Sequence, residues 1–252
     1  MDLGLEGKTA AVAAASAGLG LSSAKALAAA GVRVAICGRD NDRLQAAAAQ
    51  IQGDVFPLLA DVGTAEGAAA FIADADAHLG SVDIVIANCG GPPPGTFANT
   101  SIDAYRQAND VAMLGSIAMS RAAIPAIRES GGGAIVTVAS ELALMGIPNI
   151  SIYTASKGGI ISMTRALAAD HVGDGIRVNC VCPGPVDTPL LRQGIVNADN
   201  PAAREKASVE STMMKRHGRP EEIANVIRFL ASDEASFMTG SIVVADGGAT
   251  AQ

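Results

Sequence analysis

Tyr153 and Lys157 stand at i and i+4 in the run Ser151–Gly159. On a helix those positions share one face, so the ammonium of Lys157 is expected beside the phenol of Tyr153. A free tyrosine titrates near about 10 and is a poor base at neutral pH, whereas a neighbouring cation favours its phenolate. A phenol tuned toward neutrality exchanges a proton with an alcohol or a carbonyl oxygen. Ser140 follows the apolar run Ala134–Ala139, which reads as a buried strand. A hydroxyl at the C-terminal end of a strand stands where open α/β sheets place ligand contacts. Acid, tuner and oxyanion donor are thus all present. The Tyr-x-x-x-Lys spacing taken alone also fits a surface helix with a solvated lysine, so the elements around it decide its weight.

Those elements alternate. Apolar strand-like runs fall at Thr9–Ala14, Val32–Cys37, Val55–Ala60, Val82–Ala87, Ala134–Ala139, Ile176–Val181 and Ser241–Ala245. Helical stretches fall between them at Leu21–Ala30, Leu44–Ile51, Thr64–Leu79, Ile102–Arg128, Ile152–His171 and Pro220–Ala231. Such alternation predicts a doubly wound α/β fold of Rossmann type: one domain over residues 1–252, with a parallel sheet covered on both faces. Right-handed crossovers give the strand order 3-2-1-4-5-6-7. Pro57 inside the third strand agrees, because proline cannot donate to a ladder and belongs at a sheet edge. Pro125 is expected to kink the long fourth helix near its end. The stretch Gly90–Gly95 reads as a loop, and Pro183–Arg219 as irregular chain with one helical patch at Ala202–Met214. Residues 187–219 are a candidate lid, since long connections in compact domains are often functional.

The first strand–turn–helix reads Ala13-Ala14-Ala15-Ser16-Ala17-Gly18-Leu19-Gly20. Gly18 and Gly20 let the backbone approach a pyrophosphate, and the helix that follows offers free N–H groups. Position in a strand–turn–helix gives this short glycine pattern its weight as a dinucleotide site. The second strand ends in Gly38-Arg39 with no carboxylate. An acidic residue there would bind the ribose 2′-hydroxyl of NAD, whereas an arginine accommodates the 2′-phosphate of NADP. Arg39 therefore favours NADP(H) over NAD(H), although it also fits a solvated side chain.

Composition narrows the remaining classes. The chain of 252 residues is 49% hydrophobic but only 3% aromatic and has no tryptophan, so its core is built from Ala, Val, Ile and Leu. A net charge of −7 argues against nucleic acid or an anionic membrane as main partner. Cys37, Cys89, Cys180 and Cys182 have neither redox nor zinc spacing and read as small buried hydrophobes. The three scattered histidines suggest no metal site. No leader-like segment and no run of about 18 apolar residues is apparent, so a soluble cytoplasmic setting is the expectation.

With these parts in place the whole chain resembles the classical short-chain dehydrogenase/reductases. The resemblance is carried by the glycine turn at 13–20, Asp61-Val62, Asn88-Cys89-Gly90, Asn109, Ser140, Tyr153-x-x-x-Lys157 and Pro183-Gly184. It implies that Asp61 and Val62 meet the adenine, that Asn88 and Gly90 lie along the ribose, and that Lys157 also bonds the nicotinamide ribose. Asn88 fits a structural role equally well. Pro183, Gly184, Val186 and Thr188 would flank the nicotinamide, with the last two at its carboxamide. Ser140 would bond the reacting oxygen, and Asn109 would hold a relay water toward Lys157. The implied activity is NADP(H)-dependent interconversion of a carbonyl and a secondary alcohol. In overall look the chain is similar to the 3-oxoacyl-[acyl-carrier-protein] reductase-like branch. A non-catalytic NADP-binding module acting through its oligomer surface is the alternative.

The family's usual Thr-Gly is Ala13-Ala14 here, which calls for ordinary backbone angles at residue 14 and altered cofactor affinity. Leu142, Leu144, Met145, Leu190, Leu191, Met213 and Met214 would line an apolar substrate pocket, unless they belong to the core. Arg121 and Arg128 could dock an acyl carrier protein or simply form a solvated face. The long helices at 103–128 and 152–171 commonly pair across a two-fold in this family, implying a homotetramer or homodimer.

Overall fold

Seven parallel strands in the order β3-β2-β1-β4-β5-β6-β7 make up the sheet. They are β1 (Thr9–Val12), β2 (Arg33–Gly38), β3 (Val55–Leu59), β4 (Ile84–Ala87), β5 (Gly133–Val138), β6 (Ile176–Pro183) and β7 (Ile242–Ala245). This is the Rossmann-type fold expected from the alternation, here in a computed structural model that describes residues 3–90 and 95–252, the side chains of 107 and 108 aside. Residues 91–94 of the expected Gly90–Gly95 loop lie outside the described residues. Pro57 sits on the edge strand β3, level with Ile36 of β2. The central strands β1, β4 and β5 are mostly aliphatic and almost wholly buried because both of their faces are covered.

The helices α1 (Gly18–Ala28), α2 (Asn41–Ala48) and α3 (Ala65–Leu79) follow the first three strands. Asp40 and Thr64 cap the latter two by accepting the amides of Arg43 and Gly67. The next helical stretch is interrupted. α4 (Ile102–Asn109) leads into one π-helical turn at Asp110–Leu114, and α5 (Gly115–Glu129) continues through Pro125. One disturbance of the hydrogen-bond ladder thus lies at 110–114, before the proline that α5 carries within it. By length and a mean hydropathy of 1.3, Ile102–Glu129 could cross a bilayer, but Ser116, Met119, Ser120, Ala123 and Ile127 of α5 are buried in the protein.

α6 (Ser151–His171) precedes β6, and α9 (Pro220–Ala231) precedes β7. Between them the expectation of one helical patch is corrected. Two helices form, α7 (Pro189–Val196) and α8 (Pro201–Glu210). Each begins Thr/Asn–Pro: Thr188 accepts the amide of Leu191 and Asn200 that of Ala203, while proline fills the first helical position. Arg192 joins these segments by ion pairs to Asp187 and to Glu205, both at 2.6 Å.

One apolar layer packs α1, α2 and α9 against the sheet through Leu27, Leu44 and Ile227. The opposite layer packs α3, α5 and α6 through Phe71, Met119 and Ala168. All four cysteines are buried free thiols, as small hydrophobes should be. With both layers closed, the loops leaving the C-terminal strand ends converge on one edge.

Candidate active site

The glycine turn leaves β1 under tight control. The Ala13 amide donates to the Ile86 carbonyl at 3.0 Å, and the Ala15 amide to the Cys37 carbonyl at 2.8 Å. Ala14, held between them, takes φ +50°, the left-handed region that favours glycine. The expectation of ordinary angles at residue 14 is therefore corrected: bonds to β4 and β2 on either side dictate the path, and the alanine conforms. The left-handed region costs a non-glycine residue roughly 1–2 kcal/mol. Ala14→Gly is accordingly expected to stabilise the protein by about 1 kcal/mol and to raise Tm by a few degrees, checked by thermal unfolding. A lower Tm would mean that residue 14 is not strained.

Gly18 is also left-handed, at φ +57°. Ala17 at the N-cap of α1 has no side chain to satisfy the first amides of the helix. Their open N–H groups, with the positive end of the helix dipole, fit a pyrophosphate. A Cβ built on Gly38 would lie 3.2 Å from Ser16 Oγ, so the turn abuts the end of β2. Arg39 follows there, exposed and without an ion pair among the described residues. Thr188, at the start of α7, lies 3.5 Å from a Cβ built on Gly18 and so faces the turn.

Other expected contacts converge on the same edge. Asp61 accepts the Gly63 amide at 3.0 Å. A Cβ built on Gly115 would meet the Val62 carbonyl at 2.9 Å and Cys89 Sγ at 3.2 Å, and one on Gly90 would meet Val111 at 3.6 Å. The ends of β3 and β4 and the start of α5 therefore touch. Asn88 is half-buried just past β4. Pro183 ends β6, Gly184 donates to Ala245 at 3.0 Å, and the buried Val186 bridges to Gly218.

Ser140 is buried at the end of β5. Its hydroxyl donates to Glu141 Oε2 at 2.7 Å and accepts the Leu142 amide at 3.2 Å. The phenol of Tyr153, from the first turn of α6, lies near enough to the same hydroxyl to interact with it. Burial nonetheless raises the phenol above its ordinary value, and the nearby Glu141 adds to the rise. The ammonium of Lys157 is engaged by the main chain. Its Nζ donates to the carbonyls of Val138 at 3.0 Å and Cys89 at 3.4 Å, while burial pulls the ammonium down to about 8. The expectation of a phenol lowered by an adjacent Lys157 is thus corrected, because the ammonium is bound to main-chain carbonyls and desolvation governs the phenol. Asn109 ends α4 immediately before the π turn and accepts from Ser156 Oγ at 3.2 Å, which ties it to α6 beside Lys157.

Glu141 went unnoticed in the sequence. It is 6% exposed, and burial pushes its carboxyl up to about 7, against the opposing pull of the Ser140 hydrogen bond. The available signal was an ionisable residue directly after a strand-end serine on the ligand-bearing edge of the sheet.

Of the expected pocket residues, Leu142, Met145 and Leu191 are half-buried, whereas Leu144, Leu190, Met213 and Met214 are exposed, Leu190 at 70%. The exposed four are not core. Met213 lies over Gly248 beyond β7, with its sulfur 2.8 Å from a Cβ built there. Arg128 is paired with Asp174 at 2.7 Å, which supports the solvated-face reading of that arginine over a docking patch.

The sequence profile described as enoyl-(acyl carrier protein) reductase matches residues 13–250. An uncharacterized oxidoreductase of Thermotoga maritima is 42% identical over 69% of each chain. A short-chain type dehydrogenase/reductase of Mycobacterium marinum superposes with a TM-score of 0.91 at 32% identity, covering 100% of this chain and 98% of the other. L-sorbose reductase of Gluconobacter frateurii, solved with NADPH and L-sorbose, superposes with a TM-score of 0.93 at 29% identity over all of both chains. The chain belongs to the short-chain dehydrogenase/reductase family. It is an oxidoreductase of the class that works with a nicotinamide cofactor on small molecules.

Proposed function

We propose that the protein is an NADP(H)-dependent oxidoreductase that interconverts a carbonyl and a secondary alcohol. When bound, the nicotinamide would supply or accept the hydride at its C4. The observation that carries this reading is the meeting of Tyr153 and Ser140 at the sheet edge that also holds the uncapped start of α1. Tyr153 gives its phenolic proton to the substrate oxygen in reduction and removes it in oxidation. Ser140 donates to that oxygen as negative charge develops on it. Lys157 holds the nicotinamide ribose, and Asn109 positions a relay water behind Lys157. Ala14, Ser16, Ala17, Gly18, Leu19 and Gly20 cradle the pyrophosphate. Asp61 and Val62 meet the adenine, Asn88 and Gly90 the ribose, and Pro183, Gly184, Val186 and Thr188 the nicotinamide. Residues 187–219 form the substrate lid of a single domain.

NADP preference rests on Arg39, exposed and free to take a 2′-phosphate beside Ser16. Arg39→Ala should weaken NADPH binding by roughly 10–100-fold, the scale of one charge-assisted contact, and leave NADH binding nearly unchanged. Fluorescence titration with both cofactors checks this. Equal losses for the two would remove Arg39 from the 2′-phosphate site.

The substrate we infer is a 3-oxoacyl thioester or a similar small hydrophobic ketone. The apolar side chains of Leu142, Met145, Leu190 and Met213 around the serine and the lid support it, as does the similarity to the enoyl-(acyl carrier protein) reductase family. Following NADPH consumption across 3-oxoacyl thioesters, α-diketones, cyclic ketones, keto-sugars and simple aldehydes tests it. Turnover confined to keto-sugars would contradict the hydrophobic substrate class while keeping the reaction. An apolar groove of 360 Å³ along α5 and α6, lined by Ile117, Ile124, Met163 and Leu167, supports a homodimer or homotetramer. Four buried free thiols suit a reducing cytoplasm.

A further inference from the structure

Ser140 carries a single proton, and in the structure that proton goes to Glu141. A hydroxyl offers one donor and two acceptor sites. At Ser140 the donor is spent on Glu141 Oε2 at 2.7 Å, and one acceptor takes the Leu142 amide. What remains toward Tyr153 is an acceptor. In this arrangement the serine cannot also donate to a substrate oxygen.

We propose that Glu141 is a positioning residue that sets the direction of the Ser140 hydroxyl. As a carboxylate it holds the serine proton on itself, and as a carboxylic acid it donates to Ser140 Oγ and releases the serine proton to the reacting oxygen. The inference rests on the hydride-transfer reading above, in which Ser140 faces that oxygen. The switch forms one covalent O–H bond, on a Glu141 carboxylate oxygen with a proton from solvent, and otherwise only redirects hydrogen bonds.

The surroundings of Glu141 make both states reachable. Nothing cationic neutralises it: it has no ion pair among the described residues, and the ammonium of Lys157 is engaged by main-chain carbonyls. Tyr153 faces it from α6 and Cys182 from β6. Asp246 faces it from beyond β7, with its own oxygens held by the amides of Gly248 and Thr250 and the Thr250 hydroxyl. Burial and the like charge of Asp246 raise the carboxyl to about 7, while the serine hydrogen bond opposes them. The two hydroxyl directions are then comparably populated near neutral pH, and acid favours the donor state that reduction requires.

The test begins without substrate. Infrared difference spectra of the full chain, ¹³C-labelled at glutamate and titrated between about pH 5 and about pH 9, should show one protonated carboxyl band lost near neutrality. Glu141→Gln should remove that band, and Ser140→Ala should move its midpoint upward by deleting the hydrogen bond that stabilises the carboxylate. A band that Ser140→Ala leaves in place would overturn the coupling, and that comparison stands even if Glu141→Gln fails to fold. In turnover of a carbonyl taken from the panel above, wild-type kcat for reduction should fall about tenfold between pH 6 and pH 8, with KM steady. Glu141→Gln should flatten that limb, and should change nothing further in a Ser140→Ala background. An unaltered pH limb in Glu141→Gln would sink the proposal. If Tyr153→Phe keeps its activity, the hydride-transfer reading fails instead, while the infrared titration still judges the pairing of Glu141 with Ser140.

Discussion

Tyr153→Phe is expected to lower kcat for carbonyl reduction by roughly 10²–10⁴-fold while leaving NADPH affinity within about twofold of wild type. The size follows from the role. The phenol is the one acidic O–H group that engages Ser140 from α6, and phenylalanine removes that proton with almost no change of shape. The buried phenol lies above its ordinary pKa, so it is fully protonated at neutral pH and poised as an acid. Reduction should therefore suffer at once, whereas the oxidative direction needs the phenolate and should speed up only as the pH rises into the alkaline range. Steady-state kinetics in both directions, with NADPH titration by fluorescence, check the loss and its assignment to the chemical step. A variant retaining more than about a tenth of wild-type kcat would mean that another group delivers the proton.

Gly20→Ala carries the second large effect. A Cβ there would stand 2.4 Å from the Ala14 carbonyl oxygen and 2.9 Å from both Ala14 C and Ala15 Cα. Those are backbone atoms, and the Ala13 and Ala15 amides bond the same segment to β4 and β2. Neither partner can step aside by changing a rotamer. Either the start of α1 lifts away or the turn is pushed outward, and both misplace the open amides that fit a pyrophosphate. Overpacking of this kind costs about 1–3 kcal/mol. NADPH affinity should fall by at least about tenfold together with a lower Tm, read by fluorescence titration and thermal unfolding. Gly20 itself is not left-handed, so its glycine serves close approach, whereas Ala14 is left-handed and is not glycine. The two substitutions are thus expected to act with opposite signs on stability, although they lie on one turn.

Much of the frame was legible in the sequence. Alternating apolar runs fixed the helices and strands, right-handed crossovers their order, and Pro57 marked the edge strand that the structure places at one end. Local capping chemistry was also written in the chain. Thr188-Pro189 announces the start of α7, yet its short apolar face was masked by the irregular stretch around it. What could not be read was whatever depends on tertiary burial. The i, i+4 spacing puts Lys157 on the face of Tyr153, but carbonyls from β5 and from the end of β4 capture its ammonium. The left-handed Ala14 results from hydrogen bonds to strands distant in sequence, which no local preference of alanine discloses. The π turn after Asn109 interrupts a segment that reads in the sequence as one helix over Ile102–Arg128. Glu141 is the clearest case: its place after a strand-end serine is visible in the sequence, but its burial against that serine's hydroxyl is not.

The central claim is that this site moves hydride between NADPH and a carbonyl under proton control by Tyr153. Its most direct test is the consumption of NADPH by the purified wild-type chain across the carbonyl panel, with NADH run in parallel. The account predicts turnover on at least one carbonyl class with NADPH preferred. Tight NADPH binding without oxidation by any member of the panel would contradict it.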